Sequence, residues 1–288
     1  IFETIDAASY RDKPELARAF RPVYVFAGPG AGFKGRLEFL KLKPGREQAA
    51  AFLESRRYAA YLGATTEFAA LEGIAHNRRD RRLYLALSTV AGGMLDGQNG
   101  ARPQDHIRIA GDPRDLACGG VYESRLRGGQ TDTGGAPIRS EWVAVELRAL
   151  VSGARKPAGQ KTGPYDACDT ERPANPDNLK YSEALRTLLI GEDSALHLNN
   201  FLWAYPVDTG KLTRLLSAPA GAELTGLQAV PDLDDHGYIF VNIQHPGAAR
   251  ELEKYPDEVR VGLRARIDFR GAVGYLGGLP GIGSASGD

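Results

Sequence analysis

The sequence predicts an all-β fold, either a sandwich or a propeller. Past residue 63, short apolar runs alternate with turn-rich stretches, and no helical pattern comes between them. Glycine (35) and proline (17) are abundant and scattered, which marks many turns and no low-complexity tail. Two long loops, 91–117 and 152–182, exceed the ~15 residues beyond which loops usually carry function or lack order. No internal repeat is legible, so pattern alone does not choose between sandwich and propeller.

In chain order, residues 1–45 read as irregular. They include a glycine-rich loop at 28–32 that lacks the Gly-Lys-Ser/Thr of a phosphate-binding P-loop. Residues 46–62 read as one helix, with Ala49, Phe52, Leu53, Ala60 and Tyr61 on its apolar face, Arg56 intruding and Gly63 ending it. Strands follow at 82–88, 141–147 and 187–190. A hairpin joins 200–205 to 211–216 through Asp208-Thr209-Gly210, and a further strand covers 238–243. Trp142 and Trp203 fall inside strand patterns and read as packing residues.

Composition narrows the function classes. Lys+Arg and Asp+Glu are both 36, so the formal net charge is zero, which argues against nucleic-acid binding by bulk electrostatics. No apolar run approaches the ~18 residues of a membrane span. Two cysteines, Cys118 and Cys168, are too few for a disulfide scaffold or a four-cysteine zinc site; they form either one bridge or two buried thiols. The start at Ile1-Phe2-Glu3, without a leader, is what a mature exported protein or a downstream half would show. No Gly-x-Ser-x-Gly elbow is present, which sets serine-hydrolase chemistry aside.

Four acidic stretches lie at strand boundaries: Glu67 to Glu72-Gly73, Asn175-Pro176-Asp177-Asn178, Gly191-Glu192-Asp193-Ser194 with His197, and Gly221-Ala222-Glu223. Hard cations such as Ca2+ take several carboxylate and amide oxygens, and these stretches supply them. Each taken singly also reads as an ordinary turn. Their recurrence ahead of successive strands favours a site, because propeller blades bring such positions to one channel. His245, before Pro246-Gly247, reads either as a donor to a metal-bound carboxylate or as a loop cap.

Five motifs, in order and spacing, resemble the PhoX-type alkaline phosphatases. They are Asn175-Pro176-Asp177-Asn178-Leu179-Lys180-Tyr181, Ile190-Gly191-Glu192-Asp193-Ser194, Phe201-Leu202-Trp203-Ala204-Tyr205, Gly221-Ala222-Glu223-Leu224-Thr225-Gly226-Leu227 and Asn242-Ile243-Gln244-His245-Pro246-Gly247. The resemblance runs from about residue 1 to 280 and covers only the downstream part of that family. It implies about half of a six-bladed β-propeller, with 1–64 as an irregular lead-in plus helix and 65–280 as blades. It further implies export by the twin-arginine route to the periplasm or beyond, and phosphomonoester hydrolysis at a cluster of Ca2+ and Fe3+ bridged by an oxo group. Glu72, Asp177, Asn178 and Glu223 match metal-binding positions, and Glu192 and Asp193 are further candidates. Asn178 and Lys180 are the expected phosphate contacts, with Arg172 another cation of that kind.

The family's iron-binding cysteine lies upstream of the matching region, and Cys118 and Cys168 resemble a structural cysteine pair instead. The expected partners are therefore a phosphomonoester substrate and an upstream half carried on a separate chain or segment. Two other functions fit the same residues: a calcium-stabilised propeller that binds without catalysing, and a calcium-dependent lactonase-like hydrolase.

Overall fold

In the computed structural model, residues 1–26, 35–65, 67–68, 70–95, 107, 109–132, 135–160, 165–248, 252–253, 255–266 and 268–281 are described. The stretch at 28–32 lies outside them. The chain forms two compact units: 1–69 with 91–110, and 70–90 with 111–288.

The first unit is more ordered than the sequence suggests. Strands β1 (Phe2–Ile5), β2 (Arg21–Phe26) and β3 (Gly35–Leu42) form an antiparallel sheet with β3 in the centre. Between β1 and β2 lie helices α1 (Ala7–Asp12) and α2 (Pro14–Ala19). The Asp6 carboxylate caps α1 by accepting the Ser9 amide at 2.7 Å, and Pro14 opens α2, where no amide donor is required. The irregular reading of 1–45 is thereby corrected: Pro, Arg and Lys in short elements hid a sheet whose inner residues Val23, Val25 and Leu40 pack with Ala60.

The single helix at 46–62 is also corrected. It is two helices, α3 (Glu47–Leu53) and α4 (Ser55–Tyr61), with non-helical backbone at Glu54. The Ser55 hydroxyl donates to the Ala51 carbonyl at 2.7 Å, a back-bond that bends helices. The expected apolar face does not turn inward as a whole: of its residues Ala60 is buried, while Phe52 and Leu53 are 78% and 76% exposed, and Ala50, outside that face, is buried instead.

The second unit is built from three antiparallel sheets, each ordered as a meander. The first runs β4 (Leu71–Asn77), β5 (Arg82–Leu87) and β6 (Gly120–Arg127). Outside β6 lie two short pieces, β7 (Val143–Ala144) and β8 (Arg148–Ser152). The second runs β9 (Pro176–Ser182), β10 (Thr187–Glu192), β11 (Phe201–Pro206) and β12 (Thr213–Ser217). The third runs β13 (Glu223–Leu233), β14 (His236–Gln244) and β15 (Ala272–Pro280). Helix Asp257–Arg264 lies between β14 and β15, so the expectation of one helix is corrected here as well. The expected strand at 141–147 is a two-residue β7; Trp142 is partly exposed there, beside His76 and Arg81.

The middle sheet is buried on both faces. On β10, Leu188 and Ile190 join Tyr84, Val121, Tyr181 and Trp203 on the side of the first sheet. Leu189, pointing the other way, joins Leu202, Leu224, Ile239 and Val241 on the side of the third. This explains the unbroken apolar run on β10, since alternation appears only where one face is wet. Two glycines set how closely the sheets approach. A Cβ on Gly73 would lie 2.2 Å from the Asp177 carbonyl oxygen, and one on Gly191 would lie 2.2 Å from that of Leu224. The first strand of the middle sheet, β9, thus runs hard against β4.

Candidate metal centre

The acidic motifs sit on strands rather than ahead of them, which corrects the reading of 152–182 as a loop throughout. Glu72 is the second residue of β4, Asp177 and Asn178 are the second and third of β9, and Glu223 opens β13. Three sheets therefore present carboxylates from the same place, the beginning of their first strand. Asp193 arrives from just beyond β10, and His245 from just beyond β14.

Asn178 ties the centre together. Its Nδ2 donates to Asp177 Oδ1 at 2.7 Å and lies 3.3 Å from Glu223 Oε1, while its Oδ1 accepts the Thr225 hydroxyl at 2.9 Å. The amide thus turns its donor side to the carboxylates. The other Glu223 oxygen, Oε2, accepts Gln244 Nε2 at 2.8 Å and faces His245 Nε2 at 3.3 Å. One ligating atom from each of Asp193, Glu223 and His245 lies within 4.8 Å of the other two.

Electrostatics at this end are uncompensated. Burial, and then the neighbouring Glu223, Glu72 and Asp193, push Asp177 up to about 7. Burial followed by Asp193 raises Glu223, against an opposing pull from His245 and Asn178. Among the described residues, no lysine or arginine forms an ion pair with any of these four carboxylates.

Backbone anchoring places Asp177. Asn175 adopts a left-handed conformation (φ 41°), which asparagine tolerates better than most residues. Its side chain donates to the Ser88 and Ala117 carbonyls and accepts the Ser194 hydroxyl at 2.6 Å. Its backbone amide donates to the carbonyl of Cys118. Cys118 and Cys168 are joined in a buried disulfide with a sequence separation of 50, which resolves the choice between a bridge and two thiols.

Of the other residues expected at the site, Glu192 is placed elsewhere. It is fully buried, with Oε1 accepting Ala174 N and Trp203 Nε1, and Oε2 accepting Phe201 N and facing His197 Nδ1 at 3.0 Å. All its acceptor capacity is spent on holding the core. The phase of β10 carries this signal: Glu192 follows Leu188 and Ile190 at intervals of two, on the face that packs against the first sheet. Lys180 lies two residues beyond Asn178 on the same side of β9, and among the described residues its side chain makes no hydrogen bond or ion pair. Arg172 pairs with Asp169 at 3.7 Å. Asp193, which the sequence offers on the same footing as Glu192, and His245, which it leaves between a metal-site donor and a loop cap, complete the cluster. No model of a protein family and no curated protein matches this chain.

Proposed function

We propose that this chain holds a hard divalent cation, Ca2+ by its oxygen donors, at Asp177, Glu223 and Glu72, and contributes this site to the hydrolysis of phosphate monoesters. The observation behind the reading is a cluster of four carboxylates in which burial, and then the neighbouring Glu223, Glu72 and Asp193, raise Asp177 to about 7, with no lysine or arginine paired to them among the described residues. Such a group of oxygens suits a hard cation, and a bound divalent cation supplies neutralisation of the charge on phosphoryl oxygens.

The chain's own residues then divide the work. Asp177 and Glu223 offer oxygens from facing strands and fix their spacing through the shared Asn178 amide. A cation on those oxygens would release the Asn178 Nδ2 protons, which now face Asp177 and Glu223, for an anionic phosphate oxygen to accept. Lys180, two residues beyond Asn178 on β9, adds a cation. Both cysteines are committed to the disulfide, so a thiolate for iron would come from outside residues 1–288, on the proposed upstream half. Three sheets side by side, with first strands carrying matched carboxylates, support consecutive blades of a β-propeller. Among the described residues no helix is long and apolar enough to cross a membrane, and a buried disulfide suits an oxidising compartment, periplasmic or extracellular.

The test is p-nitrophenyl phosphate turnover by the protein assembled with its upstream part, before and after chelation. Loss of activity on chelation, its return with Ca2+, and its absence in Asp177→Ala support the reading. Full activity in Asp177→Ala would remove Asp177 from the site. Saturable Ca2+ binding without turnover would favour the calcium-stabilised binding module.

A further inference from the structure

We propose a second cation position at the same centre, a nitrogen-containing site formed by Asp193, Glu223 and His245 that takes a first-row divalent transition-metal ion rather than Ca2+. It rests on the proposed cation site through one shared residue, Glu223. The two Glu223 oxygens look in different directions. Oε1 lies 3.3 Å from the Asn178 amide that also binds Asp177, whereas Oε2 lies 3.3 Å from His245 Nε2. A carboxylate so placed offers one oxygen to each of two neighbouring cations.

The histidine carries the assignment. Its Nδ1 lies 3.3 Å from the Gly221 carbonyl oxygen, the partner that would take an Nδ1–H and leave Nε2 as the ring's electron pair. Metal-binding histidines hold their other ring nitrogen against a carbonyl or carboxylate in this way, which fixes the tautomer and the ring. Gly221 and Glu223 belong to one short stretch of backbone, so a single segment orients the imidazole and supplies a carboxylate beside it. Locally, the Gly247 amide donates to the Ala220 carbonyl and binds the His245-Pro246-Gly247 turn to that segment. His245 sits at φ 39°, an uncommon conformation for a non-glycine residue, so its side chain is held at some backbone cost. On Glu223, the Gln244 amide orients Oε2.

Imidazole together with carboxylates suits zinc, iron, cobalt or nickel, while calcium takes oxygen alone. Three protein ligands leave coordination positions for water or substrate, as in catalytic rather than structural zinc sites. The two positions thus differ in ligand type and are separable by probe.

The experiment uses the full chain stripped of metal and two probes, Co2+ followed by its visible absorption and Tb3+ followed by its luminescence as a calcium surrogate. His245→Asn is the informative variant, because asparagine accepts the left-handed backbone while removing the nitrogen donor. Co2+ is expected to bind the wild type with a nitrogen-ligand spectrum and to bind His245→Asn at least tenfold more weakly. Asp193→Asn should weaken Co2+ similarly, and Tb3+ should still bind His245→Asn as it binds the wild type. An unchanged thermal midpoint for metal-free His245→Asn excludes misfolding as the cause. Wild-type protein that takes no Co2+, or equal Co2+ binding in wild type and His245→Asn, overturns the proposal and leaves His245 as an ion-pair partner of Glu223. Failure of the calcium reading is a separate result, namely a wild type that takes no Tb3+.

Discussion

At the turn end of the β9–β10 hairpin, Arg186 donates to both oxygens of Asp208 at 2.6 Å and to Asp80 at 2.7 Å, so three hairpin turns share one cation. At the other end of the same strands, Asp177, Glu223, Glu72 and Asp193 gather with no such partner, and a disulfide and the Asn175 hydrogen bonds hold the backbone instead. The pKa directions follow. The Arg186 guanidinium holds Asp80 and Asp208 below the ordinary carboxylate value, while burial and like charges raise Asp177 and Glu223. A fold that pairs its charges at one end and, among the described residues, leaves Asp177, Glu72 and Asp193 without an ion pair at the other gives up stability at the second, as functional sites do.

The largest effect is expected at the covalent brace. Reducing Cys118–Cys168, or replacing both cysteines by alanine, is expected to cost roughly 4 kcal/mol in the chain-entropy model, read by denaturant unfolding. The loss should be accompanied by weaker cation binding, because the Asn175 amide hangs on the Cys118 carbonyl. A stability loss with cation affinity unchanged would separate the brace from the site.

Saturating cation should come next in size. Ca2+ at one hundred times its dissociation constant adds about 2.7 kcal/mol by mass action, provided it binds the native state alone. A calorimetric midpoint that rises with Ca2+ concentration checks this.

The sharpest contrast between the two ends is in sign. In chelated protein, Asp177→Asn should stabilise and Arg186→Met should destabilise. A rise in Asp177 from 3.8 to about 7 would convert to about 4 kcal/mol in a dry site, and half-burial with solvent screening reduces the expected gain to about 1–2 kcal/mol. The pH dependence also runs opposite ways. Asp177 titrates higher when folded than when unfolded, so its penalty is full above about pH 7 and is relieved as pH falls toward 4. Asp80 and Asp208 titrate lower when folded, so their stabilisation is present above about pH 4 and is lost on further acidification. Urea titrations of chelated wild type and Asp177→Asn between pH 4 and 8 should differ most at the alkaline side. A constant difference across that range would place the Asp177 effect in packing instead of charge.

Legibility in the sequence tracked burial pattern. Strands β5, β10, β11, β12 and β14 were readable because their apolar runs are bounded by turns. Strands β4, β9 and β13 were read as turns or loops because their first residues are Glu, Asp, Asn and Pro, the residues that build the site. Residues 1–45 were missed because β1 to β3 carry charged residues and α1 and α2 are only six residues each. At the site, Asp177 and Glu223 were legible as recurring carboxylates, with the Asn178 amide beside the first. Glu192 was misplaced because its neighbour Asp193 offers the same chemistry, and only the two-residue phase of β10 tells them apart. His245 could be located from sequence but its role could not, since its meaning depends on Glu223, 22 residues away and across a strand pair.

Thermal unfolding of wild type and Asp177→Asn, each in chelator and in saturating Ca2+, reports whether these carboxylates hold a cation. The expected result is a crossover: the variant is the more stable protein in chelator, and the wild type becomes the more stable one in Ca2+. Equal Ca2+ shifts in both proteins, or no shift in the wild type, would contradict the assignment of these carboxylates to a cation.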